Sequence, residues 1–554
     1  MQKRFFVTIL VLMLMTACAP EPAPVFVPPA LESPSDPPTP TLTPPTATPT
    51  RSLWISPQVP NELRRAAEEA SQNFGLVLVP EREAGDLKLE PATEDEQILS
   101  TWVYALVAAF PTVRDEVTFT ELQNAWNGNG QGLVMTEATY RVMQTVFGSE
   151  AGPGVVRIVS AQDMEYALWS QREAWGIVPF EFITPKMKVL EVNGQAPIQR
   201  TFDASQYPLV VGFTLSGGEL DLPLSNRDPD KMATVMMTGV TALVRATAYK
   251  MEQNGNLYPA RDIIDWFRES DIVHISNEIP FAPDCPYPNP GQTSLRFCSD
   301  PKYIELLEYI GTDVVELTGN HFQDWGSDAT RYTLEMYNER GWPYFGGGKD
   351  LADSQQAAII ERGGMSFAFI GCNPAGPDFA WAREDNWPGA APCGDGWPGK
   401  PQGGHGYEWM EDEIARLKAD GHIVLATFQY FEYYSSPARP WQERDYRRMA
   451  GAGAVVVNGS QAHYPQVMEF YGESFIHYGL GNLFFDQMGY DNPSSGIRTT
   501  KTRWGFITRY VFYDGRLASI ELLTTMLEDF SKPRPMTPEE RELFLQEYFK
   551  ESGW

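Results

Sequence analysis

The residues of this sequence that could do chemistry follow short apolar runs. In "ELTGNHFQDWG" an apolar run leads into Asn320 and His321, and Asp324 stands three residues further on. Other apolar runs lead to the same kinds of side chain, namely Asn277, Glu278, Gln429, Glu432, Gln461 and His463. Imidazoles exchange protons near neutral pH, and imidazole, carboxylate and amide groups can each bind a metal ion. The residue types therefore permit acid–base chemistry, metal binding or hydrogen-bonded recognition of a polar ligand.

These side chains need a scaffold that brings the ends of strands together. Over residues 230–530, strand-like runs such as "DIVHISN", "DVVELTGN" and "AVVVNGS" alternate with amphipathic runs such as "YEWMEDEIARLKADG". This alternation predicts an α/β domain in which helices cover both faces of a sheet, and ligands collect where the strands of such folds end. Residues 531–554 are predicted to form a C-terminal helical segment with Thr537 as N-cap and Pro538 in the first turn.

Residues 53–225 are predicted to form a smaller α/β domain of their own. Its segment "TFTELQNAWNG" has Thr118 followed by Glu121, the pattern of a capping box. The strand at 102–110, this helix, "AWGIVPF" and "QYPLVVGF" together resemble extracytoplasmic solute-binding proteins of the phosphate-binding type. The resemblance implies a periplasmic-binding-like domain, and no anion-binding loop in it singles out ligand residues.

A second resemblance covers about 300 residues of the later part of the chain. The series "DIVHISNEIPF", "ELTGNHFQDWG", "FGGG", "VVVNGSQAHYPQVMEF" and "FIHYGLGNLFFD" resembles the CapA family of poly-γ-glutamate capsule synthesis proteins. That resemblance implies a calcineurin-like sandwich of the metallophosphatase type. It also implies a role in making or anchoring an extracellular polymer.

The family resemblance assigns roles to the best-preserved motif. It implies that Asn320 binds a metal and that His321 donates a proton, with Glu278 and Asp324 as further catalytic candidates. His463 remains as a second metal-ligand candidate from the fifth motif. A two-metal centre, with ions about 3.5–4 Å apart, needs several such ligands from different strand ends.

Several positions depart from the family pattern. Val240 stands where the first motif supplies an aspartate, Phe428 or Gln429 stands at one histidine position, and Gln461 stands at another. Neutral amides are weak ligands for zinc, manganese or iron, and valine is none. We therefore expect a degenerate site with one divalent ion (Mn, Zn or Mg), held by Asn320 and His463, or with none.

Three functions stay open at this point. The first is the synthesis or anchoring of a capsule polymer, in a crevice that binds a polar polymer or an amino-acid-like ligand. The second is a metal-dependent hydrolase of the phosphoesterase kind that uses His321 as acid or base. The third is a non-catalytic binding lipoprotein. Asp486 and Gln487 could line the same crevice, whereas His274 and His477, inside apolar runs, are expected to be structural.

The start of the chain has the features of an export signal. Residues 1–17 combine a basic start with an apolar stretch too short to span a bilayer, and they end just before Cys18. This pattern resembles a bacterial lipoprotein signal and implies a lipid on Cys18, although an ordinary signal peptide is the alternative. Residues 18–52 are rich in proline, which favours an extended tether. We expect an extracytoplasmic protein anchored to the outer face of the cell membrane.

Cysteine content and charge set further limits. Cys285, Cys298, Cys372 and Cys393 make an even number for an oxidising compartment, with three possible connectivities. We favour 285–298 and 372–393 because each pair is close in sequence, and a cysteine metal site is the less favoured alternative because no C-x-x-C spacing exists. The formal net charge of −29 argues against nucleic-acid binding.

Overall fold

The computed structural model describes residues 51–394, 405–494 and 496–554, and residues 51–554 belong to one compact unit. The predicted signal peptide, Cys18 and almost all of the tether lie outside the described residues. The boundaries expected at 225, 230 and 530 stay predictions. Across the described ranges, no helix has both the length and the apolar character needed to cross a membrane.

The first half of the unit is built on a mixed ten-stranded sheet. Its strands are β1 (Ser52–Ile55), β2 (Val77–Leu78), β3 (Leu87–Pro91), β4 (Ser100–Ala109), β5 (Glu116–Val117), β6 (Leu133–Met135), β7 (Val156–Ile158), β8 (Trp175–Pro179), β9 (Met187–Val192) and β10 (Val210–Ser216). They lie in the order β2-β1-β3-β10-β4-β8-β6-β7, and β9 pairs with β4 and with β5. Its helices are α1 (Asn61–Asn73), α2 (Phe119–Trp126), α3 (Glu137–Phe147) and α4 (Met164–Ser170).

Two local predictions for this half are confirmed. The continuous apolar run of β4 makes it a central strand, and its residues from Trp102 to Ala109 are all buried. The helix α2 begins with a complete capping box, because the Thr118 side chain accepts from the Glu121 amide while the Glu121 carboxylate accepts from the Thr118 amide. This pairing fixes where the helix starts.

The second half contains an eight-stranded sheet and a six-stranded sheet, with two small two-stranded pairs. Its strands are β11 (Met232–Met237), β12 (Val240–Thr241), β13 (Ile272–Asn277), β14 (Val314–Glu316), β15 (Tyr344–Phe345), β16 (Gly347–Gly348), β17 (Ala358–Arg362), β18 (Met365–Cys372), β19 (Gly389–Ala390), β20 (Ile423–Gln429), β21 (Val456–Ser460), β22 (Met468–Tyr471), β23 (Ser474–His477), β24 (Tyr490–Asn492), β25 (Ile497–Thr499), β26 (Trp504–Tyr513), β27 (Arg516–Glu528) and β28 (Lys532–Pro535). Its helices are α5 (Arg245–Asn254), α6 (Ile264–Arg268), α7 (Ile304–Tyr309), α8 (Ser327–Glu339), α9 (Leu351–Ser354), α10 (Glu408–Ala419), α11 (Pro440–Ala452) and α12 (Pro538–Glu551).

These two sheets pack face to face. One buried cluster joins Val235 and Phe506 of the eight-stranded sheet to Phe369 and Leu425 of the six-stranded sheet. A second cluster packs the outer face of β13 and β14 against α5 to α8, and a third packs the outer face of β18, β20 and β21 against α10 and α11. The result is a layered sandwich with helices outside and sheets inside, and the predicted α/β fold class is confirmed.

The end of the chain differs from the prediction and holds the two halves together. The C-terminal segment is not helical throughout 531–554, because Lys532–Pro535 pair with β27 before α12 begins at Pro538 with Thr537 as its N-cap. Val511 and Tyr513 of β26 are buried in the core of the first half. Trp554 packs edge to face on Phe110, with ring centroids 5.4 Å apart.

Both predicted disulfides are confirmed. Cys285 is bonded to Cys298 and Cys372 to Cys393, so each bond closes a loop that is local in sequence. Disulfides persist in oxidising compartments, and these two bonds fit an extracytoplasmic protein.

Candidate functional site

The candidate site lies where the carboxyl ends of four parallel strands meet across the sandwich. β13 and β14 belong to the eight-stranded sheet, while β20 and β21 belong to the six-stranded sheet. The chain segments that follow these strands supply the polar side chains. The two sheets thus contribute facing halves of one site, as ligand positions in α/β folds lead one to expect.

Gln429 joins the two halves at the centre. Its Nε2 lies 2.9 Å from Oδ1 of Asn320 and 3.3 Å from Oε1 of Glu278. Nε2 of His463 lies 3.9 Å from the same Glu278 oxygen. The carboxylate of Glu278 is 2% exposed. These four predicted site residues are therefore brought together, around one buried carboxylate.

His321 lies at the edge of this cluster and is held by Asp324. Its Nδ1 lies 2.7 Å from Oδ2 of Asp324, and a carboxylate can only accept, so Nδ1 carries the proton. Burial lowers the pKa of His321, but the hydrogen bond with Asp324 and the charges of Glu278 and Glu432 outweigh it, and the pKa is raised. Nε2 of His321 can therefore be protonated and donate a proton to a bound ligand.

His463 is oriented by a residue that the sequence did not single out. Its Nδ1 lies 2.8 Å from Oδ1 of Asn482, which directs Nε2 toward Glu278. The backbone of both Gln461 and His463 is left-handed, with φ of 74° and 49°. Such conformations are uncommon for residues other than glycine and concentrate at functional sites. Oε1 of Gln461 is buried without a hydrogen-bond partner, so it can accept from a ligand.

A buried hydrogen bond between His274 and Glu316 underlies the cluster. Nε2 of His274 lies 3.1 Å from Oε2 of Glu316, and Oε1 of Glu316 accepts from Thr318 at 2.5 Å and from Ser460 at 3.3 Å. Burial alone would raise the pKa of Glu316, but the contacts with His274 and the hydroxyl groups lower it overall. Ser460 ends β21, so its bond with Glu316 of β14 joins the six-stranded sheet to the eight-stranded sheet. His274 has the structural position expected of it.

A second feature that the sequence did not reveal is the ion pair of Arg245 and Asp486. The guanidinium of Arg245 bonds the Asp486 carboxylate, which also accepts from the amide of Ala246 at 3.0 Å. Arg245 has a left-handed backbone, with φ of 48°, and its guanidinium lies over the rings of Phe297 and Phe485. The predicted crevice residue Asp486 therefore fixes the start of α5.

Two other predicted crevice residues and one structural histidine lie elsewhere. Nδ2 of Asn277 donates to the Tyr337 hydroxyl and to the Ile279 carbonyl, both at 2.8 Å, so its amide is turned into the core, away from the cluster. The carboxylate of Glu432 is exposed and bonded by its neighbour Tyr434. Burial lowers the pKa of His477 to about 3, which fits the structural role expected for it.

The neighbourhood of Val240 is apolar. Val240 is 1% exposed and clusters with Ile279, Phe297 and Phe485 beside the polar residues. In the described part of the chain, no group of three or more histidine, cysteine, aspartate or glutamate side chains could hold a metal ion. The donors that do gather are one carboxylate, one oriented imidazole and two amides.

Comparison with known proteins agrees with the later part of the chain. Residues 234–487 match the family model described as bacterial capsule synthesis protein PGA_cap. The capsule biosynthesis protein CapA of Bacillus anthracis is 22% identical over 334 residues, which cover 59% of this chain and 75% of that protein. The PGA biosynthesis protein CapA of Bacillus subtilis (strain 168) is 23% identical over 272 residues, which cover 49% of this chain and 68% of that protein.

Solved structures give a weaker likeness. An ABC-type phosphate transport receptor from Vibrio cholerae is 14% identical, with a TM-score of 0.25, and the match covers 32% of this chain and 88% of that one. A possible phosphate binding protein from Planctomyces limnophilus DSM 3776 is 13% identical, also with a TM-score of 0.25, and covers 30% of this chain and 80% of that one.

Proposed function

Because residues 234–487 match the family model of bacterial capsule synthesis proteins and two CapA proteins are similar to the chain, we propose that this chain acts in making or anchoring an extracellular polymer of the poly-γ-glutamate type. One observation carries the proposal beyond the family likeness. The strand ends of both sheets gather the amide groups of Asn320 and Gln429 beside a single buried carboxylate, and the amide oxygen of Gln461 is buried without a partner. Amides donate and accept hydrogen bonds, which matches the amide links of such a polymer.

The same groups are too few to form a complete two-metal site, which supports the prediction of a degenerate one. A pair of divalent ions needs carboxylates to offset its charge, and the cluster around Glu278 contributes one. Val240 and its apolar neighbours stand where the family resemblance implies an aspartate. The imidazole of His463 adds one ligand atom, Nε2, because its Nδ1 is bonded to Asn482. These donors do not fit a two-metal centre, and we derive no chemical step from one.

A hydrolase or transferase is the second candidate, and it is favoured by the His321–Asp324 pair. Nδ1 of His321 and Oδ2 of Asp324 lie 2.7 Å apart at the edge of the cluster, and the His321 side chain is 21% exposed. Its raised pKa suits a group that gives a proton to a leaving oxygen or nitrogen. In this candidate function, Glu278 and Gln429 position the bond that is cleaved.

The proposal includes anchoring at the outer face of the cell membrane. Its support is the lipoprotein-like pattern that ends at Cys18 and the proline-rich segment after it. The two disulfides are compatible with that location. A tethered protein of this kind meets the polymer as it leaves the cell.

Metal content and polymer binding test the proposal. The chain is purified, incubated with Mn²⁺ or Zn²⁺, and analysed by mass spectrometry for bound metal, beside His463→Ala and the control His422→Ala. His422 bonds Ser366 and lies outside the cluster. We expect at most one metal ion per chain, and we expect the protein to retain poly-γ-glutamate, with weaker retention by Gln429→Ala. Two stoichiometric ions that His463→Ala removes would refute the degenerate site.

A second assay separates the two candidate functions. Wild type and His321→Ala are incubated with poly-γ-glutamate and with a phosphoester, and the products are measured by chromatography. Turnover that depends on His321 would establish the enzymatic candidate. Polymer binding without turnover in either protein would establish the non-catalytic form of the proposal.

A further inference from the structure

A cavity in the first half of the molecule, outside residues 234–487, contains polar groups that the proposed function does not use. It has a volume of about 640 Å³ and lies among α1, α3, α4 and the turn that follows β8. Tyr104 of β4 and Glu181 and Thr184 of that turn line it. The cavity is large enough for a small organic molecule.

Three oxygens in the wall of this cavity have no hydrogen-bond partner. They are Oη of Tyr104, Oε1 of Glu181 and Oγ1 of Thr184, and all three are buried. Tyr104 is 1% exposed. Buried polar atoms are nearly always hydrogen-bonded in folded proteins, so three such atoms on one cavity point to a ligand. All three can accept hydrogen bonds.

The turn that carries Glu181 is fixed independently of its carboxylate. The guanidinium of Arg516 donates to the backbone carbonyls of Glu181 and Ile183, at 2.5 Å and 2.6 Å. Asn226 Nδ2 donates to the other carboxylate oxygen of Glu181 at 2.6 Å. These bonds hold the turn and one carboxylate oxygen in place, and the second oxygen, Oε1, has no partner.

The charge of the cavity selects among ligands. Glu62, Glu137 and Glu165 also line it, whereas no lysine or arginine is found among the described residues of its wall. No salt bridge joins Glu181 to a basic side chain in the described ranges, although each of the other three carboxylates has a basic partner. Such a wall repels phosphate and carboxylate ligands and attracts cations.

The remaining wall is apolar. Met164, Val178 and Met187 are nearly fully buried beside the polar groups, and Phe182 is 44% exposed. A ligand with a hydrocarbon body would cover the exposed part of Phe182 and remove its apolar surface from water. The cavity thus combines a polar acidic part with an apolar part.

We propose that this cavity binds a small organic molecule that has a primary ammonium group and an aliphatic body. An ammonium group has three N–H donors, which match Oη of Tyr104, Oε1 of Glu181 and Oγ1 of Thr184 in number. Its charge is complementary to Glu181, and a charge-assisted hydrogen bond is stronger than a neutral one. The aliphatic body lies against Phe182, the exposed apolar side chain of the wall.

The test uses simple probes of one size and different charge. The full chain is titrated with n-pentylammonium, n-pentanol, pentanoate and inorganic phosphate in a calorimeter. We expect saturable binding of one n-pentylammonium per chain, about tenfold or more tighter than n-pentanol. Pentanoate and phosphate are expected not to bind. Equal or tighter binding of either anion, or no saturable binding of n-pentylammonium, would overturn the proposal.

Two variants assign the binding to this cavity. Glu181→Gln can keep the hydrogen bond from Asn226 but presents an amide N–H in place of Oε1, so affinity should fall about tenfold or more. Tyr104→Phe removes an unpartnered hydroxyl, so it should weaken binding without lowering the melting temperature. The matched control Glu173→Gln changes an exposed carboxylate outside the cavity. Unchanged affinity in both cavity variants, with their melting temperatures preserved, would refute the assignment.

Discussion

Replacing Glu181 by glutamine should make the protein more stable at alkaline pH and change little at acid pH. Burial raises the pKa of the Glu181 carboxyl to about 7, and the Glu62 charge acts in the same direction against the bond from Asn226. Ionisation of this group therefore costs free energy in the folded chain that it does not cost in the unfolded chain. Glutamine has a similar shape and does not ionise.

The size and the sign of the effect follow from the two pKa values. Below pH 4.5, the ordinary pKa of the group, the carboxyl is protonated in both states and its ionisation contributes nothing. As pH rises to about 7 and beyond, the unfolded chain releases the proton more readily, and the wild type loses stability. A rise from 4.5 to about 7 corresponds to about 3 kcal/mol, at about 1.4 kcal/mol per tenfold change in acidity.

Urea unfolding at several pH values measures the effect directly. The free energy of unfolding of Glu181→Gln is compared with that of the wild type from about pH 4.5 to about pH 8.5. The difference should grow by about 3 kcal/mol in favour of the variant over this range. Glu173→Gln serves as the control for the change in net charge. A difference that stays constant with pH, or that favours the wild type at alkaline pH, would refute the reasoning.

Three further predictions concern other parts of the molecule. Asp324→Asn should lower the pKa of His321, because the bonded carboxylate is lost while burial remains; an NMR titration of the imidazole that shows no decrease would contradict this. Cys18→Ser should move the protein from the detergent phase to the aqueous phase, because serine offers no thiol for the lipid; unchanged partitioning would argue against a lipoprotein. The pKa of Asp115 is lowered to about 2 despite its burial, mainly by Arg541. The ion pair of Asp115 and Arg541 therefore stabilises the fold fully above about pH 4, and this stabilisation is lost as pH falls toward 2. Because Asp115 is half exposed, Asp115→Asn should cost only about 1 kcal/mol at neutral pH, and an equal loss measured near pH 2 would contradict the pairing.

The fold could be predicted where a segment's own side chains decide its structure. The apolar runs of β13, β14, β20 and β21 are buried on both faces, and their patterns indicate strands without knowledge of their neighbours. The hairpin of β26 and β27 is not among the predicted elements, although the sequence contains its turn signal. Asp514 and Gly515 form its turn with φ of 49° and 84°, and Asp-Gly is a preferred pair for such turns. The helix α5 has no capping side chain, since Val244 precedes Arg245, and its start depends on Asp486 from far along the chain.

The sequence predicts which strand ends carry the site residues, but it does not predict the hydrogen bonds that join those residues. Glu278, Asn320, Gln429 and His463 each follow an apolar run, and parallel strands place their carboxyl ends at one edge. The contacts of Asn482 and Glu316 could not be predicted, because they depend on how two separate sheets face each other. Asn277 ends β13 beside Glu278, yet its amide bonds Tyr337 in the core and not the site. Position at a strand end therefore does not by itself predict that a side chain belongs to the site.

The placement of the last strands and of α12 also sets the order in which the chain can fold. The core of the first half needs Val511 and Tyr513, and the side chains of Arg541 and Asp115, which are bonded to each other, are separated by 426 positions. During synthesis, at about 5–20 residues per second, this half must therefore wait for almost the whole chain with apolar surface uncovered. Contacts so distant in sequence slow folding, and the waiting intermediate is open to aggregation. Loss of the last residues would thus disturb the first half of the protein, through Phe110 and Asp115, as well as the strands on which α12 packs.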